Sequence, residues 1–593
     1  MTQASTIRLS DAASTTPTIH YQVAMPQPQS HLFEVTLSVQ NWQKPLLDLK
    51  MPVWTPGSYL VREYAKHLQD FSADTGDKQQ SLAFRKITKN HWQIDTANTS
   101  KITVRYRVFA NELSVRTNHL DATHGYFNGA ALFFFIPEFE QQPIQVEIVP
   151  KPEWQVTTPL PAVSGKANTF EAKDFDTLVD SPFEIGSHQI YNFEVLGKPH
   201  QLAIWGQGNV NPEGVIEDTK KIIEVEAKIF GGLPYERYLF LLHLTNNSFG
   251  GLEHKDACSL IYARFGFRAK EKYQRFMQLV AHEFFHLWNV KRIRPKALEK
   301  FDYEQENYTT SLWFCEGTTS YYDLQIPLRA GIYDAKTFLE NLSKEITQLQ
   351  LIPGRKVQPL GESSFDAWIK LYRRDANSNN SQISYYLKGE MISLLLDLLI
   401  RSRQGNQRSL DDVMAIMWQR FGKEEIGFTP QQLQDVIESV AQTDLGEFFN
   451  RYIDGVDELP FDEYLEPFGL RLNVVEEAVP YLGLTVRTEN NQEMIKFVDA
   501  TSPAALAGVD AGDELLAIDN LRVTADQLSD RLKDYQAGDT IKLSLFHQDQ
   551  LRTLSVKLLA PQPSRYQIVQ VENPTQVQQQ NFAGWLGTSL TSF

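Results

Sequence analysis

The chain has 593 residues and a mass of 67.9 kDa, which exceeds what one hydrophobic core accommodates, so three or four domains are expected. Its formal net charge of −16 at pH 7 and its isoelectric point near 5.4 argue against a nucleic-acid-binding protein, because phosphate binding requires a basic face. No apolar stretch approaches the roughly 20 residues of a membrane span, and 2 cysteines are too few for a disulfide framework.

The start of the chain bears on the compartment. The first five residues, MTQAS, lack the basic region and the apolar region of a secretory signal. We therefore expect a cytoplasmic protein. Cys258 and Cys315 are expected to be buried free thiols rather than zinc ligands.

The N-terminal third alternates apolar and polar residues. Residues 33–39 and 102–108 are two such runs, and the pattern continues from about residue 17 to about residue 190. Alternation with a period of two is typical of strands whose sheet is buried on one face. The sequence therefore predicts an N-terminal β-sandwich domain over residues 1–190. The run WTPGSY at residues 54–59 lies within it.

The middle of the chain changes from strands to helices. Residues 191–270 mix strand patterns with one helix at about 217–230, and the run GGLEH lies at residues 250–254. Helical patterns then continue to about residue 455. Together these segments predict one α+β domain over residues 191–460, with strands first and helices after.

The run HEFFH at residues 282–286 predicts the chemistry of this domain. On a helix, histidines four residues apart project from the same face, so His282 and His286 can bind one Zn²⁺ per chain. Glu283 then points at a water on that zinc and can act as its general base. The fragment is typical of a hydrolytic zinc site.

The flanking residues predict how long this helix is. They form one apolar stripe, spaced as on a helix that is buried against a core: Met277, Val280, Ala281, Phe284 and Trp288. We expect the helix to end near Pro295, with the basic residues 291–294 at the negative end of its dipole.

A catalytic zinc usually has three protein ligands, so a third should follow on a nearby helix. Glu316 is the best candidate, because it lies in an aromatic-rich segment that can pack on the first helix. Asp323 follows two helical turns later on the same face, where its carboxylate can accept the free N–H of a ligand imidazole.

Strand patterns return over residues 463–561. The run formed by Tyr481, Leu482, Gly483 and Leu484 resembles the carboxylate-binding loop of a PDZ domain, in which backbone N–H groups bind the C-terminus of a peptide. Either this groove binds a peptide or protein C-terminus, or the domain is a lid on the catalytic unit. Residues 562–593 are expected to be a polar C-terminal tail, anchored by Trp585 and Leu586.

Taken together, these motifs resemble the gluzincin zinc peptidases related to aminopeptidase N, and within them the glycyl aminopeptidase family that carries a C-terminal PDZ domain. The resemblance rests on HEFFH, on WTPGSY, on GGLEH, and on YYLKG at residues 385–389. His254 stands where aminopeptidase N has asparagine. The resemblance implies a multidomain α+β protein: an N-terminal β-sandwich, a thermolysin-like catalytic domain and a PDZ domain.

The resemblance also implies two further roles. Glu253 matches the glutamate that binds the free α-amino group of the substrate, and Tyr386 matches the tyrosine whose hydroxyl stabilises the oxyanion. The implied function is a zinc aminopeptidase that releases N-terminal residues, glycine or alanine, from peptides. Two alternatives remain: a zinc endopeptidase guided by its PDZ domain, and a non-catalytic PDZ scaffold with a structural metal.

Overall fold

The computed structural model describes residues 16–77 and 79–590 and begins with a β-rich domain. Its six-stranded sheet has the order β12-β10-β1-β2-β7-β4, its four-stranded sheet the order β11-β13-β9-β8, and its three-stranded sheet the order β3-β6-β5. Buried side chains from all three sheets form one core, which confirms the predicted β-sandwich. The elements are β1 Thr18–Ala24, β2 Leu32–Gln40, β3 Leu46–Lys50, β4 Leu68–Thr75, β5 Phe84–Thr88, β6 His91–Asp95, β7 Lys101–Phe109, β8 His119–Leu120, β9 His124–Phe127, β10 Ile144–Val149, β11 Gln155–Thr157, β12 Thr169–Ala172, α1 Phe175–Val179 and β13 Phe183–Gly186.

The catalytic domain starts with a five-stranded sheet in the order β14-β15-β16-β18-β17. Strands β15, β16 and β18 are parallel, and seven of the eight residues of β16 are buried, as expected for a central strand covered on both faces. The antiparallel strand β17 forms one edge. The elements are β14 Gln189–Val195, β15 Lys198–Trp205, α2 Pro212–Phe230, β16 Tyr238–Thr245, β17 Phe249–Glu253, β18 Ala257–Ala263 and α3 Lys270–Phe285.

The second half of the catalytic domain is helical. Helix α8 is buried on nearly every side and is capped by the Ser384 side chain, which accepts from the Leu387 N–H. None of the helices within the described ranges is long and apolar enough to cross a membrane. The helices are α4 Thr318–Arg329, α5 Ala335–Gln350, α6 Leu360–Phe365, α7 Ser378–Ser381, α8 Tyr385–Arg403, α9 Leu410–Met417, α10 Pro430–Ala441, α11 Gly446–Tyr452 and α12 Phe461–Leu465, with π-helical turns at Trp313–Gly317 and Trp418–Gly422.

The predicted PDZ domain is confirmed as a small unit with its own core. Its main sheet has the order β20-β21-β22-β24-β25, so β20 lies at an edge, and β23 pairs with β22. From Leu470 to the end of the described chain, including strands and a helix outside the PDZ domain, the elements are β19 Leu470–Glu476, β20 Leu484–Glu489, β21 Gln492–Val498, α13 Pro503–Leu506, β22 Glu514–Ile518, β23 Leu521–Arg522, α14 Ala525–Leu532, β24 Thr540–His547, β25 Gln550–Lys557, β26 Pro563–Gln570 and α15 Gln576–Leu586.

The segment after residue 562 is an integral part of the catalytic domain rather than a polar tail. Strand β26 pairs with β19, so the PDZ domain is inserted between the two strands of a ribbon. On α15, Phe582 and Trp585 are buried in the catalytic core, where Trp585 contacts Phe338 with ring centroids 5.7 Å apart. Phe582, Trp585 and Leu586 share one helix face, so Trp585 and Leu586 anchor the segment as expected, although it is a strand and a helix and not a tail.

Candidate active site

Helix α3 carries HEFFH but is shorter than the sequence predicts. It ends at Phe285, and His286 is its C-cap residue, so the end expected near Pro295 is wrong. The chain then turns sharply, with a positive φ of 109° at Val290. The basic residues that follow form ion pairs instead of following a helix axis: Lys291 binds Asp180 of the N-terminal domain at 2.5 Å, and Arg292 binds Asp256 at 3.1 Å.

The two histidines and the predicted third ligand converge on one point. The Nε2 atoms of His282 and His286 lie 3.6 and 3.1 Å from the same carboxylate oxygen of Glu316. The imidazole rings are nearly perpendicular, with centroids 4.7 Å apart. Two imidazoles and one carboxylate at these separations are a donor set for a divalent cation.

The Nδ1 atoms of both rings already have hydrogen-bond partners. His282 Nδ1 lies 2.9 Å from Asp323, and His286 Nδ1 lies 2.7 Å from the carbonyl oxygen of Asn289. A carbonyl oxygen can only accept, so His286 Nδ1 carries a proton, and in the neutral ring the lone pair is on Nε2. Both Nε2 atoms face the same Glu316 oxygen, so a cation between them would be bound by two imidazoles and one carboxylate. The residues therefore fit a zinc ion.

A π-helical turn positions Glu316. The N–H of Thr318 donates to the carbonyl of Trp313, five residues back, and the wider turn carries Glu316 inward. The Asn289 amide donates to the carbonyls of Phe314 and Cys315 at 2.9 and 3.2 Å, which links this turn to the end of α3. Burial would raise the pKa of Glu316, but the nearby histidines lower it to about 2, so it is ionised.

Close backbone packing brings the π turn against α8. A Cβ on Gly317 would lie 2.5 Å from the Cα of Gly389, and a Cβ on Gly389 would lie 2.6 Å from the carbonyl oxygen of Trp313. Only glycine fits at either position. Gly389 is the glycine of YYLKG, so this motif sets the distance between Tyr386 and the zinc-binding turn.

Glu283 lies on the sheet side of α3, against the edge strand β17. A Cβ on Gly251 would lie 2.2 Å from the Glu283 carboxylate, so the second glycine of GGLEH leaves the room that Glu283 occupies. Burial raises the pKa of Glu283 to about 7. Its Oε2 has no hydrogen-bond partner within the described residues, which leaves that atom available to a ligand.

Glu253 ends β17 and is only 3% exposed. Its carboxylate, that of Glu283 and a nitrogen of His286 lie within 4.8 Å of one another. A Cβ on Gly57 would lie 2.5 Å from the Glu253 carboxylate, so WTPGSY of the N-terminal domain covers this residue. Glu253 Oε1 contacts no hydrogen-bond donor in the part of the chain that is described.

Tyr386 lies beside His282 at the start of α8. The two rings are nearly parallel, with centroids 6.3 Å apart. The Tyr386 hydroxyl lies 3.1 Å from the hydroxyl of Tyr372, a residue that sequence reasoning missed because it lies in an irregular loop. Burial raises the pKa of Tyr386 far above its usual value, so the hydroxyl keeps its proton and can donate it in a hydrogen bond.

Arg116 was also missed. It belongs to the N-terminal domain, yet its guanidinium donates to the carbonyl of Gly251 at 3.0 Å. Its pKa is raised: burial would lower it, but Tyr372, Tyr386, Glu283 and Glu253 outweigh burial. No sequence pattern marks Arg116, because it reaches the site only through the contact between two domains.

The predicted PDZ loop lines a groove of about 280 Å³. Tyr481, Leu482, Gly483 and Leu484 form one end of it, and Leu528 and Leu532 of α14 line its wall. The N–H of Tyr481 donates to Leu559 at 2.9 Å, so a peptide carboxylate would be held by the amides that follow it. Gly483 has a φ of +82°, which favours glycine at this turn.

Three family profiles match the chain. They are the Peptidase M61 N-terminal domain over residues 20–187, the M61 glycyl aminopeptidase over residues 275–392, and the PDZ domain over residues 480–558. No curated protein matches the chain.

Solved structures are also similar to this chain. One is an aminopeptidase N family protein from Idiomarina loihiensis, which is 31% identical in sequence with a TM-score of 0.90, over 96% of this chain and 100% of the other. An M1 zinc metallopeptidase from Deinococcus radiodurans is 12% identical with a TM-score of 0.47, over 75% of this chain and 95% of the other.

Proposed function

The chain belongs to the M61 glycyl aminopeptidase family, a family of zinc peptidases, and on that premise we propose that it releases single N-terminal residues from peptides with a free amino terminus. The observation that carries the proposal is the buried carboxylate of Glu253, which has a free oxygen and lies beside Glu283 and His286. A charge-assisted hydrogen bond from an ammonium group would satisfy that oxygen.

We propose that His282, His286 and Glu316 hold one Zn²⁺ at this centre. When bound, the ion polarises the scissile carbonyl and lowers the pKa of water, so that a nucleophile forms at neutral pH. Asp323 and the Asn289 carbonyl hold the two imidazoles in the tautomer that leaves both Nε2 atoms free.

Glu283 is the general base of this proposal. It takes a proton from the attacking water and delivers it to the leaving amine, a transfer typically worth about 10²- to 10⁴-fold in rate. Burial raises its pKa to about 7, near the pH at which it must both accept and release a proton, while His282 and His286 act to lower it.

Tyr386 donates its hydroxyl proton to the oxyanion that forms from the scissile carbonyl. The hydroxyl of Tyr372, 3.1 Å away, orients it. Arg116 is a positioning residue: by binding the Gly251 carbonyl it holds the edge strand that presents Glu253.

The proposed preference is for glycine or alanine at the N-terminus, and it rests on the family to which the chain belongs. Trp54, Pro56 and Tyr59 pack around Glu253 on the side of the N-terminal domain.

The PDZ groove is the proposed binding site for a peptide or protein C-terminus. Strand β20 lies at the edge of its sheet and can pair with an added strand, while the loop at 481–484 lies at the end where a carboxylate would bind.

Hydrolysis of paired peptides tests the proposed function. Wild-type protein loaded with zinc is given Gly-, Ala-, Leu- and Lys-arylamides together with a glycyl peptide and its N-acetylated form. Cleavage of the free-amine substrates alone, with Gly and Ala fastest, is the expected result. Cleavage of the acetylated peptide at a comparable rate would favour the PDZ-guided endopeptidase.

A further inference from the structure

A group of buried and half-buried histidines lies far along the chain from HEFFH, where the four-stranded sheet of the N-terminal domain meets the sheet of the catalytic domain. We call it the interface histidine cluster, and it comprises His119, His124, Glu184, His188 and His243. His124 is on β9 and Glu184 on β13, two paired strands of the N-terminal domain. His243 is on β16, the central strand of the catalytic sheet.

The cluster contains polar atoms with no protein partner. His124 is fully buried, and neither of its ring nitrogens has a hydrogen-bond partner in the described part of the chain. The same holds for Nδ1 of His243 and Oε1 of Glu184, which are each 1% exposed. Leaving such buried atoms unpaired destabilises a fold.

A buried structural histidine in the same domain behaves differently. His200 is 1% exposed, and its Nδ1 and Nε2 contact the Lys198 carbonyl at 2.9 Å and the Tyr235 hydroxyl at 2.7 Å. Ordinary core packing therefore satisfies both nitrogens of a histidine in this fold. Ring nitrogens of the interface histidine cluster have no such hydrogen-bond partners among the described residues, which indicates that a further group binds there.

The donor types of the cluster suit a cation. His243 Nε2 lies 2.7 Å from Glu184 Oε2, and the His124 ring lies beside them. Imidazole nitrogen and carboxylate oxygen are both donors that bind zinc.

We propose that His124, Glu184 and His243 bind a second divalent cation of the zinc type, separate from the hydrolytic centre. One ligand atom from each of these residues lies within 4.8 Å of those of the other two. Ligands about 2.0–2.1 Å from a tetrahedral Zn²⁺ are about 3.3 Å apart, so Glu184 and His243, now 2.7 Å apart, would separate slightly when the ion binds. The imidazole donors favour zinc over calcium or magnesium.

Local packing leaves the His124 nitrogens accessible to an ion. Its ring stacks face to face on Trp205, with centroids 3.7 Å apart, and this contact uses the ring face rather than the nitrogens at its edge. Gly186, opposite His124 in the strand pair, leaves the room, because a Cβ there would lie 2.9 Å from that of His124.

His119 and His188 border the three proposed ligands. His188 Nδ1 is 4.0 Å from Glu184, and His119 lies with its ring centroid 4.9 Å from that of His124. Because the three proposed ligands come from both domains, the ion would cross-link the N-terminal domain to the catalytic sheet.

Elemental analysis tests the proposal. Untagged full-length protein is loaded with zinc, dialysed exhaustively, and measured for zinc per chain. Two zinc ions are expected for wild type, and one for His286→Gln, which loses the hydrolytic site. His124→Gln and Glu184→Gln should each also retain one, whereas the matched control His200→Gln should retain two. One zinc in wild type, or two in His124→Gln, would overturn the proposal.

The second site can also be tested on wild-type protein alone, so that the test does not depend on variants that fail to fold. Anomalous diffraction at the zinc absorption edge should give a second peak, bounded by His124, Glu184 and His243, in zinc-loaded crystals. A single peak at the hydrolytic centre would contradict the second site whatever the variants do.

The proposed cross-link has its own readout. In the His286→Gln background, zinc should raise the Tm, and this rise should vanish when His124→Gln is added. An equal rise in both proteins would show that the stabilising ion binds elsewhere.

Discussion

Two buried carboxylates, Glu253 and Glu283, lie side by side and serve different purposes in the proposed reaction. Both have an oxygen without a hydrogen-bond partner among the described residues, so each is prepared to bind something that the substrate or water supplies. Glycines make room for both: Gly57 beside Glu253 and Gly251 beside Glu283. In the proposed reaction Glu253 binds the ammonium group of the substrate, whereas Glu283 accepts the proton of the attacking water and releases it to the leaving amine.

Replacing Glu253 by glutamine tests amine recognition. The variant keeps its shape but loses a charge-assisted hydrogen bond of about 1.5–3 kcal/mol, so kcat/KM for glycyl substrates should fall about 10- to 150-fold. Steady-state kinetics on glycyl and acetylated-glycyl peptides measure this. The matched control Glu271→Gln, in the first turn of α3, should leave the kinetics unchanged. Undiminished preference for the free amine in Glu253→Gln would refute the role of Glu253.

Replacing Tyr386 by phenylalanine tests oxyanion stabilisation. Losing one donor of this kind typically costs about 10²- to 10³-fold in kcat, and KM should stay nearly constant because the donor acts mainly in the transition state. Tyr372→Phe removes only the hydrogen bond that orients Tyr386, worth about 1 kcal/mol, so its effect should be roughly fivefold. Equal losses in both variants would mean that Tyr386 acts through packing.

At the scale of elements, the site depends on how closely α8 approaches the π turn that carries Glu316. Gly389→Ala places a Cβ 2.6 Å from the Trp313 carbonyl, and backbone cannot move aside as a side chain can. We expect a loss of about 1–3 kcal/mol in stability and weaker zinc binding. Thermal melting and zinc titration measure the two effects.

Gly446→Ala is the control for this substitution. It lies in α11, where a new Cβ meets only the Asp444 side chain at 3.1 Å, so the change should be neutral or slightly stabilising. A melting temperature of Gly389→Ala equal to that of Gly446→Ala would contradict the packing argument.

Sequence patterns predict the existence of the helices better than their ends and their irregular turns. Periodicity predicts the helix that carries HEFFH, but it continues past Phe285 to Trp288 because the residues after the helix are buried as well. The π turn at Glu316 has no period that separates it from an α-helix of the same residues. The spacing within each helix predicts that His282 lies beside His286 and that Glu316 and Asp323 share one face. These four residues could be predicted because each spacing is local.

At the scale of the molecule, the N-terminal domain helps to build the active site. Its WTPGSY run covers Glu253, and Arg116 binds the strand that ends there. Asp180 of this domain joins the catalytic domain by accepting from the Lys255 N–H at 2.7 Å and by pairing with Lys291.

Replacing Asp180 by asparagine tests this interface. Burial would raise the pKa of Asp180, but Lys291 and His254 lower it well below its usual value. The ionised form therefore contributes stability above about pH 4, and this contribution is lost as pH falls through the lowered pKa. At pH 7 the variant should lose about 3–5 kcal/mol, because Lys291 is left buried and unpaired. The gap in Tm between wild type and variant should narrow in acid.

Asp256→Asn provides the comparison. The side chain of Asp256 is 47% exposed, and its partner Arg292 also donates to three backbone carbonyls, so the guanidinium is not left unpaired and the loss should cost less than about 1 kcal/mol at any pH. An equal drop in Tm for Asp180→Asn and Asp256→Asn, or a gap for Asp180→Asn that widens in acid, would contradict the assignment.

The long-range parts of the site were beyond prediction for one physical reason. Arg116 contacts Gly251 and Gly57 contacts Glu253 across about 135 to 200 residues of sequence, and a contact between domains leaves no local period or spacing. The three domain types follow from the alternation, the motifs and the PDZ-like loop. Strand β26 and helix α15 were missed because their few apolar residues pack on a domain that ends about a hundred residues earlier.

The most direct test of the account compares wild type with Glu283→Gln at equal, measured zinc content. Glu283 binds no metal in this account, so the variant should carry as much zinc as wild type while kcat/KM for a glycyl arylamide falls by about 10²-fold or more. Hydrolysis within about tenfold of wild type at matched zinc would mean that another group moves the proton, since a tenfold change is only about 1.4 kcal/mol.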